Sequence, residues 1–235
     1  MGLRGVSDPN QTEETLGTLL THVLLIGAAY LVGGFPTSYL IGRLHGVDLG
    51  EEGSGNYGAT NVYRVLGFLP AITVVSVDVM KGFAPVWFFP EWDGRTGAWE
   101  LAYGSAAILG HVWPIYTRFR GGKGVATAAG TLLAVAPVAL LIAVFVWFGT
   151  LLLTRIASLA SLMAATLIPL LARGEEAPTP IVLYTLCLAF LVWWTHRTNL
   201  VRLAQRRELR LRFGKAARDQ GRLEEPEDDP PEDAP

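Results

Sequence analysis

Seven long apolar runs govern what this chain can fold into. They lie at residues 18–41, near 67–90, and at 98–116, 124–136, 138–154, 157–173 and 180–195. A helix crosses the hydrocarbon core of a bilayer with about 20 apolar residues, and with fewer where the bilayer thins. Composition agrees: 51% of the residues are hydrophobic and 17% charged, against about 25% charged in a soluble domain. The first run is no secretory signal, because no basic stretch leads it and no small-residue cleavage site ends it. The stretch 124–173 holds the one ambiguity of span number. Pro137 breaks the helical hydrogen-bond ladder and Arg155 belongs at an interface, so cutting at both points gives three short spans and seven in all. The expected fold is an all-α integral membrane protein of about seven transmembrane helices, some short, with five spans as the alternative.

Charge sets the orientation. Loops on the cytoplasmic side carry an excess of Lys and Arg. Seven spans place Arg43, Arg64, Arg118, Arg120, Lys123, Arg155, Arg197, Arg202, Arg206 and Arg207 together on one side. The N-terminus is therefore expected outside and the C-terminus in the cytoplasm, and five spans give the same ends. The net charge of -2 hides an acidic tail: residues 223–235 hold seven acids and no base, leaving 19 basic against 14 acidic side chains in the rest. Three parts are expected: a polar N-terminal extension over 1–16, a transmembrane domain over 17–213 and a disordered acidic tail over 214–235. The single cysteine, Cys187, excludes an internal disulfide and a cysteine metal site.

Three polar islands interrupt the apolar pattern on the basic side. The first, GVDLGEEGSGNYGATNVYRVLG at 46–67, contains a GxGxxG match at 53–58, and Asp78 stands 20 residues beyond it. No strand precedes the glycines and Asp78 lies in an apolar segment, so a dinucleotide fold is excluded. Glycines still let backbone N–H groups converge on an anion. Ser54, Asn56, Thr60 and Asn61 add side-chain donors, and Arg64 adds a guanidinium that grips phosphate through two bonds. The bland alternative is a flexible, capped loop. The second island, GHVWPIYTRFRGGKGVAT at 110–127, is no P-loop, because Thr117 replaces the required glycine. Its Gly121-Gly122-Lys123-Gly124 nevertheless sets bare backbone donors and an ammonium at the start of an apolar helix. The alternative there is a basic turn that only fixes topology. The third, THRTNLVRL at 195–203, puts His196 and Asn199 three apart on one helix face, with Arg202–Arg210 reading as a contact for anionic lipid heads.

Asp78 and Lys81 are three apart within an apolar segment and are expected to pair, ordering the helix beside the site in preference to touching substrate. No HxxxH, GxSxG or HxxxxD pattern occurs, so neither metal ligation, serine-hydrolase chemistry nor the soluble type of acyltransferase has a signature.

GSGNYGATNVYRVLG, DVMKG, GHVWPIYTRFRGGKGVAT and THRTNLVRL, in this order over residues 20–207, resemble the bacterial acyl-phosphate:glycerol-3-phosphate acyltransferases. The resemblance implies an enzyme of the bacterial inner membrane with its site facing the cytoplasm. It would acylate the 1-hydroxyl of glycerol 3-phosphate from a fatty acyl phosphate, giving lysophosphatidic acid and phosphate, the first step of phospholipid synthesis. It implies no cofactor, no metal and no nucleic-acid partner, with glycerol 3-phosphate, acyl phosphate and membrane lipids as the molecules met. Matched to the family's motifs, Ser54, Arg64, Lys123, His196 and Asn199 carry the chemistry. Asn56, Thr60, Asn61, Gly121, Gly122, Gly124 and Ser161 contact substrate. Two anionic substrates, one with a long apolar tail, suit a phosphate site at the membrane surface. A transporter for a phosphorylated metabolite is the rival class; it predicts internal repeats, and none is evident.

Overall fold

A computed structural model describes residues 9–94 and 99–212, and every regular element in them is helical. Chain order is α1 (Pro9–Gly34), α2 (Thr37–Leu44), α3 (Ala59–Leu66), α4 (Phe68–Trp92), α5 (Glu100–Val112), α6 (Val125–Val135), α7 (Pro137–Thr154), α8 (Ala157–Gly174), α9 (Thr179–Thr195) and α10 (Arg197–Ala204). Six of the seven apolar runs fall on one helix each, α4 to α9, and the first, 18–41, is divided between α1 and α2 at Phe35–Pro36.

By length and apolarity four stretches can cross a membrane: Glu13–Leu44, Phe68–Trp92, Pro137–Thr154 and Ala157–Gly174. The number rises to five if α9 and α10, bent by 59° at His196, count as one span. Helices α5 and α6 have 13 and 11 residues, or about 20 and 16 Å at 1.5 Å per residue. Each is shorter than the ~30 Å hydrocarbon core.

The breaks follow from local chemistry. Pro137 occupies the first turn of α7, where its missing N–H has no partner to lose, and so ends α6. Arg155 adopts φ 61 between α7 and α8, a left-handed residue that terminates one helix and turns into the next. Helix α1 begins eight residues before the expected boundary at 17, because nothing in the polar stretch after Pro9 halts helix propagation. The expected acidic tail lies outside the described residues, as does Arg95.

Small residues set the packing. A methyl group at Gly33 of α1 would overlap Ala107 of α5, and one at Gly110 would overlap the backbone of Tyr30 and Gly34. Gly82 of α4 and Gly130 of α6 approach each other's helices as closely. In lipid, helix association relies on such close backbone contact. The outward faces are apolar: Leu153 is 88% exposed and Phe190 72%, exposures that fit a lipid environment. At the end of the bundle away from the glycine loops, the Tyr103 hydroxyl donates to Asp93 Oδ2 at 2.6 Å, tying the start of α5 to the end of α4.

Candidate functional site

The first island folds into a knot between α2 and α3. Gly53 and Gly55 take φ 62 and 67, left-handed values that other residues adopt at a cost. Asp48 opens the turn, accepting the Gly50 N–H at 2.9 Å and the Tyr57 hydroxyl at 3.1 Å. Asn61 closes it. Its Nδ2 donates to Leu49 O at 3.1 Å and Glu52 O at 3.0 Å, and its Oδ1 accepts the Ser54 N–H at 2.7 Å. Both donor hydrogens of that buried amide are therefore engaged within the loop, with Ser54, Asn56 and Thr60 half-buried around it. Asn61 shapes the loop and, in this state, has no hydrogen left to offer a ligand.

Arg64 follows on α3. One terminal nitrogen donates to Leu209 O at 3.3 Å, and its buried Nε has no partner. Burial works against its charge, and Glu208 supports it. A buried guanidinium N–H left unpaired is costly, and it marks a place for an acceptor.

The second island runs from the end of α5 through a 3₁₀ turn, Ile115–Thr117, to α6. Gly124 has φ 81 and precedes the first turn of α6. Gly122 N–H donates to His111 O at 3.2 Å. The Lys123 ammonium donates to Asn199 Oδ1 at 2.5 Å, and the Thr195 hydroxyl donates to Lys123 O at 3.1 Å. Residues 76 apart in the second and third islands are thus joined at the lysine of the glycine loop. Burial pushes the Lys123 pKa down to about 8, against the opposing pull of Glu208, while Arg202 and Arg64 push in the same direction as burial.

The third island completes the assembly. His196 is 2% exposed. Its Nδ1 donates to Val192 O at 2.8 Å; a carbonyl only accepts, so Nδ1 carries the proton and neutral His196 presents the lone pair of Nε2. Asn199 donates from Nδ2 to Glu208 Oε1 at 2.6 Å. Glu208 also accepts from Ser158 at 2.9 Å and from Arg202 Nε at 2.8 Å. Burial alone would raise the Glu208 carboxyl, but the hydrogen bonds from Arg202, Asn199 and Ser158 hold it below its ordinary value.

Glu208 and Ser158 are the residues that sequence reasoning missed. The signal for Glu208 is a lone acid in the basic run Arg202–Arg212. Arg202, expected at lipid heads, is bound to this carboxylate. Ser161, matched by resemblance to a site serine, is engaged elsewhere: its hydroxyl donates to Ala157 O at 3.0 Å and accepts from Trp147 Nε1 at 3.1 Å. One turn earlier on α8, Ser158 makes the contact to the hub. Asp78 and Lys81 pair as expected, at 2.7 Å. Among the described residues no group of His, Cys, Asp or Glu is placed to hold a metal ion.

A family model described as glycerol-3-phosphate acyltransferase matches residues 23–206. A glycerol-3-phosphate acyltransferase of Geobacter sulfurreducens is 42% identical over 194 residues, covering 83% of this chain and 100% of the relative. One of Gloeobacter violaceus is 46% identical over 183 residues, covering 76% and 89%. The crystal structure of PlsY, an integral membrane glycerol 3-phosphate acyltransferase, in its glycerol 3-phosphate form matches with a TM-score of 0.77 at 37% identity. That match covers 83% of this chain and 96% of that one. The lysophosphatidic acid form matches at 0.75, also at 37% identity, over 83% and 97%. An all-helical membrane chain carrying these motifs in this order, and alike over nearly the whole length of these relatives, belongs to the glycerol-3-phosphate acyltransferase family.

Proposed function

We propose that this acyltransferase moves a fatty acyl group from acyl phosphate to the 1-hydroxyl of glycerol 3-phosphate, at a site on the cytoplasmic face of a bacterial inner membrane. The observation that carries the reading is the Lys123–Asn199–Glu208 chain of hydrogen bonds, which holds one ammonium within electrostatic reach of Arg64, whose buried Nε is unpaired. The forms in which PlsY was crystallised, with glycerol 3-phosphate and with lysophosphatidic acid, are the acceptor and product of such a transfer. The cytoplasmic assignment rests on the Lys and Arg excess on the side of the glycine loops.

The glycerol hydroxyl oxygen attacks the acyl carbonyl carbon, and the bond from that carbon to the phosphate oxygen breaks. The hydroxyl proton passes to the departing phosphate, so the products are lysophosphatidic acid and inorganic phosphate. Acyl phosphate is a mixed anhydride with a good leaving group, so positioning and charge neutralisation suffice; positioning alone supplies about 7–11 kcal/mol. Arg64 grips phosphate, with Ser54, Asn56 and Thr60 at the same loop. Lys123, with the backbone of Gly121, Gly122 and Gly124, faces the charge that develops on the leaving group. His196 holds the glycerol through Nε2. Asn61 and Ser161 serve as supports, since their polar atoms are already engaged.

The test is phosphate release by the purified protein in detergent. Release from acyl phosphate should require glycerol 3-phosphate and vanish in Lys123→Ala. Transfer from acyl-coenzyme A with none from acyl phosphate would overturn the assignment of donor.

A further inference from the structure

We propose that His111, braced by the Asp78–Lys81 pair, is the positioning residue that sets the seat of the glycine loop and hence the place of the Lys123 ammonium. The proposal rests on the reading that Lys123 meets the leaving phosphate. His111 lies in the last turn of α5 and is 5% exposed. A methyl group at Gly122 would overlap His111 Nε2 and stand 2.8 Å from Cε1. The loop therefore rests directly on the imidazole, with no room for a side chain between them. Gly121 is barred differently: its methyl would strike the His111 carbonyl and stand 2.6 Å from both the Pro114 ring and Val112 O.

The opposite edge of the ring is held as well. His111 Nδ1 faces Asp78 Oδ1 at 3.7 Å. Asp78 binds Lys81 Nζ at 2.7 Å, and Lys81 Nζ donates to Phe35 O at 3.1 Å. Phe35 lies at the break between α1 and α2, and its carbonyl also accepts the Thr37 N–H at 3.0 Å. A line of contacts so runs from the break in α1, through Lys81, Asp78 and His111, to the backbone beside Lys123. A pair that served only to cancel its own charge would not need an imidazole wedged between it and the loop. A misplacement of about 1 Å at a reacting group costs on the order of 100-fold in rate, which is the scale at which this seat matters.

The experiment is a double-mutant cycle at positions 111 and 122, with Gly121→Ala as the control. His111→Ala should lower kcat by on the order of 100-fold with a smaller change in KM for glycerol 3-phosphate, in protein that still melts cooperatively. Gly122→Ala should be similarly impaired. In His111→Ala/Gly122→Ala the new methyl takes the space of the ring, and kcat should recover at least about tenfold over Gly122→Ala, where independent effects would lower it about a further 100-fold; the coupling is then on the order of 1000-fold, about 4 kcal/mol. Gly121→Ala should gain nothing from His111→Ala, because its obstacles are backbone and proline. If His111→Ala does not fold, His111→Asn keeps an amide toward Asp78, shortens the ring edge and runs the same cycle. Additive losses, or a lowered melting temperature with wild-type kcat, would overturn the proposal. Lys123→Ala separates the two readings. Full activity there removes the loop from the chemistry, whereas an inactive Lys123→Ala beside an additive cycle removes only the role of His111.

Discussion

Replacing Glu208 with Gln changes one charge at the point where three islands meet, and its effect divides into two measurable parts. The carboxylate is 3% exposed and accepts from Asn199, Ser158 and Arg202. A hydrogen bond to a charged group contributes about 1.5–3 kcal/mol. The Arg202 side chain is 35% exposed, so solvent screens its part and puts it at the low end. Gln keeps one carbonyl oxygen but turns an NH₂ toward one of the three donors, so a stability loss of about 2 kcal/mol is expected, read as a lower melting temperature in detergent. The second part is catalytic. Lys123 has a pKa of about 8 because burial, with Arg202 and Arg64, depresses it more than Glu208 sustains it. The ammonium is the active form, so wild-type activity should fall as pH rises through about 8. Without Glu208 the ammonium is less favoured, and the fall should begin at lower pH; each unit of displacement corresponds to about 1.4 kcal/mol. The ratio of wild-type to variant kcat/KM should be widest at mildly alkaline pH and should shrink toward pH ~6, where both proteins carry the charge. Superimposable alkaline limbs in the two proteins would refute the electrostatic link from Glu208 to Lys123.

Arg64→Lys should lose most activity in folded protein, since an ammonium cannot copy a planar two-bond grip; Lys123→Ala should lose on the order of 100- to 1000-fold, about 2.7–4 kcal/mol. Wild-type turnover in either purified variant removes that residue from the site. His196→Gln should retain measurable activity with a raised KM for glycerol 3-phosphate and an unchanged acid limb, because the departing phosphate takes the proton. A variant that is dead at saturating substrate, or one whose acid limb is gone, makes His196 the general base. Single cysteines at the exposed positions Glu52 and Arg118, in a Cys187→Ala background, should react with an impermeant reagent only in inside-out vesicles. Labelling in intact cells reverses the topology.

The helices were legible because apolarity and its interruptions are local properties. Pro137 and Arg155 mark their breaks in the sequence as plainly as in the structure. The meeting of Lys123 with Asn199 was legible in kind, since both stand in polar islands on one side of the membrane. What the sequence hid depends on paths rather than patterns. Glu208 reaches Ser158 across 50 residues because 205–212 leaves α10 without regular structure and turns back onto α8; no periodicity encodes that course. Asn61 and Ser161 have the right chemistry for a ligand, yet each is engaged by neighbours that only folding supplies. His111 gave no signal in the sequence, because the contact that gives it meaning is with the missing side chain of Gly122.

The segment that carries Glu208 is also a clasp across the bundle. Its backbone is fastened at three points, with Leu211 N–H donating to Arg155 O at 2.7 Å, Tyr63 donating to Arg212 O at 2.9 Å and Arg64 donating to Leu209 O. All the partners lie earlier in the chain. A chain cut after Ala204 keeps α1 to α10 and the Lys123–Asn199 pair but loses the carboxylate that Asn199, Ser158 and Arg202 share, so a single truncation separates the helical frame from the completed site.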